Sequence, residues 1–526
     1  MKQNTAARLQ RVLRLAAAAS CLLIAGSAAA AQIKEIRIAD SGGDWGYPNP
    51  FRHYPRGPGY VRMSMVFDTL IWRDASGQIP ALALSWTYQP ESLSWVFKLR
   101  DGVKWHDGKP FTAADAAFTV QYFQKHPYSS ARLASVAGCK ASGPLELTCA
   151  LKEPYAPFLA VMEATPILPE HVWSKVDDPK NCEQPDSFVG TGPYRFVNFD
   201  KVKGSYLFEA FPDYYLGRPK VERLIYVRAD DPLFALMTGK ADLVGIEPNM
   251  ADMLKAKGMT VIEDKRGWNR KLMINHKREP FSNKKFRHAL AHAISRQELI
   301  DKSRQGFGTP GSCGLLSPDH EFYNPDTPDY EYSPDKARQL LTELGYVKGA
   351  DGFFSSKDGK PLAVHLISFA VTGGPDRDGE IIRNQLEKAG IKVDLQNLEK
   401  TAADSRIKAW DFELAISGHG GLLGDPILLN GFMGAETGSM NSARYEGSEE
   451  LRRLLAAQVR EMDKEKRKQL VWEVQKLYAE ELPALPLYYP RSMSAYNPAK
   501  GVKWDYTPGG IGNGVPTTQN KLFLVR

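Results

Sequence analysis

The stretch that most restricts what this chain can fold into is residues 80–115, PALALSWTYQPESLSWVFKLRDGVKWHDGKPFTAAD. Two turn pairs, Asp101-Gly102 and Asp107-Gly108, set where the backbone reverses. Before them, Ser94, Val96, Lys98 and Arg100 alternate with Trp95, Phe97 and Leu99. That period of two predicts a strand with one buried face. An earlier strand runs through Trp86 and breaks at Gln89-Pro90-Glu91, and a second short strand is expected over residues 103–106. Thr112 stands at an N-cap position with Asp115 three residues on, the pattern of a capping box, so an Ala-rich helix follows. Local physics therefore predicts strand, turn, strand, turn and capped helix, with no catalytic arrangement.

The same run, LALSW…SWVFKLRDGVKWHDGKPFTAADAAF, resembles the signature of extracellular solute-binding proteins of ABC importers, in the peptide/nickel class. Matches recur along nearly all of the chain after residue 31. GTGPY at 190–194 resembles the family's G-T/S-G-P-Y/W turn, and PDYYLGRP at 212–219 its p-x-Y-W-x-G-x-P segment. GTGPY lacks the Gly-Lys-Ser/Thr ending of a phosphate loop, and its glycines are expected to supply backbone freedom. Residues 61–71 match a family helix, residues 280–300 a single long one, and YSPDKARQLLTELGY at 332–346 another. A helical pair is expected over 449–481, a strand over 482–489 and a strand-like end over 521–525.

The resemblance implies an α/β fold, a two-lobed periplasmic-binding-protein clamshell with an additional third domain. Domain I is expected to take residues 32–65, 189–270 and 495–526, domain II 66–188, and domain III 271–494. The implied function is the solute-binding component of an ABC transporter. A peptide or other small solute is captured between lobes and delivered to the permease membrane subunits, without catalysis, by a monomer that carries no cofactor.

Residues 1–31 form a basic segment (Lys2, Arg8, Arg11, Arg14), a short apolar run and small residues at 28–31. They are expected to be a secretory signal peptide cut after Ala31, which would put the mature protein in the periplasm. The apolar run is shorter than the ~20 residues that span a bilayer. Cys21 lacks a lipoprotein context, because Ala18 stands where a large aliphatic residue is usual. Four of the seven excess positive charges lie in this segment, leaving +3, so basicity is no argument for nucleic acid. Cys139 and Cys149 flank a turn at Ser142-Gly143-Pro144 and are expected to bridge a hairpin, while Cys182 and Cys313 receive no assigned pairing.

Candidate ligand contacts come from loops. Residues 41–60, SGGDWGYPNPFRHYPRGPGY, are too rich in Gly and Pro for regular structure and suit a cleft wall. Tyr54, Arg56 and Tyr60 are the candidates there. Tyr128 and Arg132 are the nearest matches to basic and aromatic cleft residues of nickel-binding relatives. Trp268 opens the crossing into another domain. In the loop expected at 418–432, peptide-binding relatives carry W-x-x-D-x-x-D-P, whose first Asp pairs with the ligand's α-amino group. Here Asp425-Pro426 matches the D-P, but Leu422 replaces that Asp and residues 417–419 replace the Trp. Asp425 and an exposed His419 complete the candidate set, and a nickel-type metal chelate becomes an alternative ligand. His288 and His292 have metal-ligand spacing, but Ala289 stands where a metalloprotease needs Glu. A secreted hydrolase and a periplasmic chaperone are the alternatives from other classes.

Overall fold

The computed structural model describes residues 32–525, except 41, 55–56, 75, 129–130, 370–376, 433–443 and 508–517. The expected signal peptide and Arg56 lie outside the described residues. Among the described residues, no helix is long and apolar enough to cross a membrane.

Three sheets organise the chain. A seven-stranded sheet has the order Thr260–Glu263, Met493–Tyr496, Leu243–Ile246, Ile33–Asp40, Val221–Arg228, Ser205–Ala210, Tyr194–Asp200. A six-stranded sheet has the order Gly308–Pro310, Ala484–Pro490, Trp268–Ile274, Leu414–Gly420, Ala363–Phe369, Lys392–Leu398. The four-stranded antiparallel sheet is Ala83–Gln89, Ser94–Leu99, Glu146–Leu151, Val136–Gly143. Its hairpin pairs Cys139 directly with Cys149, and the two are disulfide-bonded. Cys182 and Cys313 are free and buried.

Two of the apolar cores are large. One apolar core runs from Ile36, Ile38 and Leu224 of the seven-stranded sheet to Phe97, Trp105 and Phe158 beside the four-stranded sheet. A separate core gathers Leu272, Ile274, Leu290, Ile382 and Leu414 around the six-stranded sheet. The result is a two-lobed α/β clamshell in which the four-stranded sheet is an addition to the first lobe. The chain passes between lobes at residues 264–267 and again at 491–492. These crossings lie side by side: the Asp264 amide donates to the Ser492 carbonyl at 2.9 Å, and Arg491 forks onto Glu263. Elsewhere the lobes touch where the Ala156 amide meets the Val459 carbonyl at 2.8 Å and where Arg460 pairs with Glu153 at 2.6 Å.

Local signals account for much of this. Strand Ser94–Leu99 ends at the Asp101-Gly102 turn, and the Thr112 amide donates to Asp115 Oδ2 at 2.9 Å ahead of helix Ala113–Lys125. Other expectations need correction. Residues 103–106 form only an isolated Lys104–Pro110 bridge, because the His106 amide turns away to the Gly190 carbonyl. The helix expected over 61–71 is Gly57–Val66, starting inside the Gly/Pro-rich stretch because Pro58 is tolerated in a first turn. The helix expected over 280–300 is two, Lys284–Ala293 and Arg296–Arg304. Ser295 breaks it by capping the second, its side chain accepting from the Glu298 amide at 3.1 Å. The strand-like end is a short 3-10 turn, Lys521–Leu524, drawn in by the buried ion pair of Lys521 with Asp68. The glycines of GTGPY serve close approach rather than unusual dihedrals: a Cβ on Gly190 or Gly192 would collide with the backbone at Val66, the end of that first helix.

Candidate ligand-binding cleft

The aromatic loop lies on the first lobe, and none of its described residues lines the interlobe cavity. An antiparallel bridge between Gly46 and His53 closes the loop, and the Asn49 side chain accepts from the Phe51 and Arg52 amides. Three of the sequence candidates meet around His53, a residue the sequence did not single out. His53 Nδ1 lies 2.9 Å from the Tyr54 carbonyl and so donates, leaving Nε2 to accept from the Tyr128 hydroxyl at 3.3 Å. The Tyr60 ring lies 4.7 Å from the imidazole. Burial pushes His53 down to about 4, so it stays neutral and serves as a strut. Tyr128 is buried, Tyr60 half-buried and Tyr54 exposed. Arg132 is exposed, and its charge reaches Tyr155 together with those of Asp425 and Arg467 from the other lobe.

The candidates of the second lobe lie at the end of the six-stranded sheet. Strand Trp268–Ile274 alternates: Arg270, Leu272 and Ile274 face one way, Asn269, Lys271 and Met273 the other. Arg270 pairs with Asp378 at 2.9 Å, which also accepts from the Tyr488 hydroxyl at 2.7 Å. On the opposite face Asn269 pairs with His419 and Lys271 with Ser417 across the antiparallel ladder. His419 therefore lies on the strand Leu414–Gly420 and is 6% exposed. The expectation of an exposed loop histidine is corrected, because the ladder with Asn269 extends the strand past Ser417. Burial and the Lys271 charge hold His419 well below the usual histidine range, and burial pushes Lys271 down to about 7. Neither amide atom of Asn269 and neither ring nitrogen of His419 has a hydrogen-bond partner. Trp268, 39% exposed, lays its indole across Gly418, where any Cβ would collide. Leu422 is fully buried, its amide donating to the Gly267 carbonyl at 3.3 Å.

Between the lobes lies a cavity of about 440 Å³, lined among others by Arg73, Gln78, Trp95 and Leu159 on one side and Asp425 and Arg467 on the other. Its charges are paired within each wall. Arg73 forks onto Glu163 at 2.9 and 3.1 Å, and Arg467 onto Asp425 at 2.8 and 2.5 Å. Against the cost of burial, Glu163 chiefly holds the Arg73 guanidinium above its ordinary value, and Glu321 and Asp425 add to it from the opposite side. Asp425 borders the cavity with both oxygens committed to Arg467, and Oδ1 also accepts from the Ile427 amide at 2.8 Å. An amphipathic space of this size, walled by aromatic, aliphatic and paired charged groups, suits a small polar organic molecule.

The sequence candidates thus form two groups, Tyr54, Tyr60 and Tyr128 on one lobe with the exposed Arg132, and Trp268, His419 and Asp425 on the other, and of these Asp425 alone lines the cavity. His53, Asn269, Lys271 and Arg467 were missed. The period of two through 268–274, which puts two polar residues on a buried face, is the signal that could have found Asn269 and Lys271. His288 Nε2 and His292 Nδ1 donate to the Glu480 and Glu331 carbonyls at 2.7 and 2.8 Å.

A family model described as bacterial extracellular solute-binding proteins, family 5 Middle, matches residues 77–441. Heme-binding protein A of Haemophilus influenzae is 29% identical over 451 residues, which are 80% of this chain and 80% of that protein. The structure of NikZ from Campylobacter jejuni in complex with Ni(L-His) matches with a TM-score of 0.79 at 24% identity, over 93% of this chain and 99% of that one. AppA from Bacillus subtilis, in complex with a nonapeptide, matches at 0.77 and 23% identity, over 93% and 98%. The two structures share the clamshell described above. With the family model spanning well over half its length, this chain belongs to the bacterial extracellular solute-binding proteins of family 5.

Proposed function

We propose that this protein captures a short peptide or another small polar solute between its lobes and delivers it to the membrane subunits of an ABC importer. The observation that carries the reading is the cleft itself. Two separately cored lobes are joined by two adjacent crossings, with an amphipathic cavity between the walls. A hinge of this form closes on a ligand only to the extent that the ligand binds the closed state better than the open one. The N-terminal segment supports periplasmic residence. The three-domain division we propose follows the expected one, with the boundaries at 270/271 and 494/495 moved to 264–267 and 491–492, because Trp268–Arg270 pair in the six-stranded sheet and Met493–Ser494 in the seven-stranded one.

Leu422 bears on the ligand. It stands where peptide-binding relatives carry the Asp that receives an α-amino group, it is buried, and the next carboxylate, Asp425, is committed to Arg467. α-Amino anchoring at this loop therefore has no carboxylate to serve it. A metal chelate is a second reading, favoured by the neutral, unpartnered imidazole of His419. NikZ was solved with a nickel–histidine complex, AppA with a nonapeptide.

The test is a thermal-shift screen of residues 32–526 with free tripeptides, N-acetylated tripeptides, and nickel with L-histidine, because a ligand that binds only the folded state raises Tm. Acetylated and free peptides should shift Tm alike. A shift confined to free peptides refutes the reading of Leu422, and one confined to nickel with histidine selects the chelate.

A further inference from the structure

The Asn269–His419 rung has the strongest unexplained demand for a partner. Four side-chain atoms on two facing residues, Asn269 Oδ1 and Nδ2 and His419 Nδ1 and Nε2, are shut off from solvent without a hydrogen bond. Asn269 is 0% and His419 6% exposed. Folded proteins pair nearly all such groups, because an unpaired one carries its full desolvation penalty, so a cluster of four points to something that completes it. The two residues are directly opposed in an antiparallel ladder and therefore share a face. The next rung on that face brings Lys271 and Ser417.

The position is as telling as the chemistry. The rung lies one residue inside Trp268 and Gly420, where one strand arrives from the lobe crossing and the other leaves for the loop whose Gly424 and Asp425 line the interlobe cavity. Towards the far end of the strands, Met273 and Ala415 on the same face are covered by Ala403 and Ile407 of helix Lys400–Lys408. Among the described residues, the ring of Phe432 lies beside the rung, 5.2 Å from the His419 ring and 5.0 Å from Lys271 Nζ.

We propose that Asn269 and His419, with Lys271 behind them, form a seat for a carboxylate group of the captured solute. Asn269 Nδ2 offers two N–H donors and neutral His419 one, with the Lys271 amine behind them. Donors converging beside a buried lysine in a dry site match a carboxylate, whose negative charge favours the protonated lysine, and charge-assisted hydrogen bonds of this kind are the strong ones. Asn269 Oδ1 and the remaining His419 nitrogen then accept from the solute or from an ordered water. The inference rests on the solute-capture reading above and adds to it which end of the solute this lobe holds. The carboxylate can come from a peptide C-terminus or from the amino acid of a metal chelate.

Calorimetry on residues 32–526 separates these. Tri-alanine is compared with tri-alanine amide, and nickel–histidine with nickel–histidinamide. Loss of the carboxylate should weaken binding by at least about tenfold, and the pair in which it does so names the source. Asn269→Leu and His419→Phe should abolish the preference while the ligand-free proteins melt at or above the wild-type temperature, because each removes unpaired polar atoms. Equal binding of acid and amide, or a preference that survives both substitutions, overturns the proposal and leaves the rung to internal water. If the wild type binds none of the four probes, the peptide and chelate readings fail and take this inference with them. Binding without carboxylate preference leaves those readings standing and removes only the seat. The wild-type comparison decides the matter even if a variant does not fold.

Discussion

Replacing Asp264 with asparagine should remove a pH-dependent penalty from the hinge. Asp264 sits in the first crossing between lobes, half-buried, with Oδ1 closed off from solvent and without a hydrogen-bond partner. Two arginines of the crossings are engaged elsewhere: Arg491 forks onto Glu263, and Arg266 onto Asp319 at 2.8 and 2.7 Å. Burial, with Asp319 and Glu263 adding negative charge, pushes the Asp264 carboxyl up to about 8. An unfolded Asp titrates near 3.9. Between those values the folded protein holds a proton that the unfolded chain has lost, so stability falls as pH rises from about 4 to about 8 and is level outside that window. At pH 7 the penalty reaches at most about 4 kcal/mol, from some three pH units at 1.36 kcal/mol each, with residual exposure reducing it. Asparagine keeps the shape and does not ionise. Urea denaturation of the ligand-free wild type and variant at pH 5, 6, 7 and 8 reads the effect directly. The variant should gain on the wild type steadily with pH. A stability difference that is the same at pH 5 and pH 8 would show that Asp264 does not titrate in this range, and the reasoning would fail.

Three further outcomes can be checked by denaturation and binding. Lys521→Met should destabilise the first lobe by about 3–5 kcal/mol, because it strips the partner from the fully buried Asp68 carboxylate. Asp425→Ala should lower stability by about 3 kcal/mol through the stranded Arg467. Ligand affinity measured well below the variant's melting temperature should change less than tenfold, and a larger loss would make Asp425 a ligand contact. Replacing Cys139 and Cys149 together by alanine opens a bridge across ten residues of sequence and should lower stability by about 2–3 kcal/mol without altering ligand affinity.

What could be read in advance was what depends on neighbours along the chain. The alternation through 94–100, the Thr112–Asp115 box and the two cysteines around a turn each carry their partner within about ten residues, and each appears where the local pattern puts it. The single helix expected over 280–300 is two because Ser295 interrupts one helix and caps the next, a choice settled by whether the second segment packs. Residues 103–106 had strand character, but their fate was decided by Gly190, far away in sequence, which takes the His106 amide.

The sequence by itself determined the family, the two-lobed α/β class and the loss of the loop carboxylate at Leu422, because motifs and spacings record them in linear order. Tertiary structure alone decided that His53 is the hub of Tyr54, Tyr60 and Tyr128, and that Asp425 is committed to Arg467. It also decided that His419 faces inward against Asn269, 150 residues earlier in the chain. The physical reason is the same in each case. Burial and hydrogen-bond satisfaction are set by what the fold brings alongside a residue, and no local pattern encodes a partner from another strand.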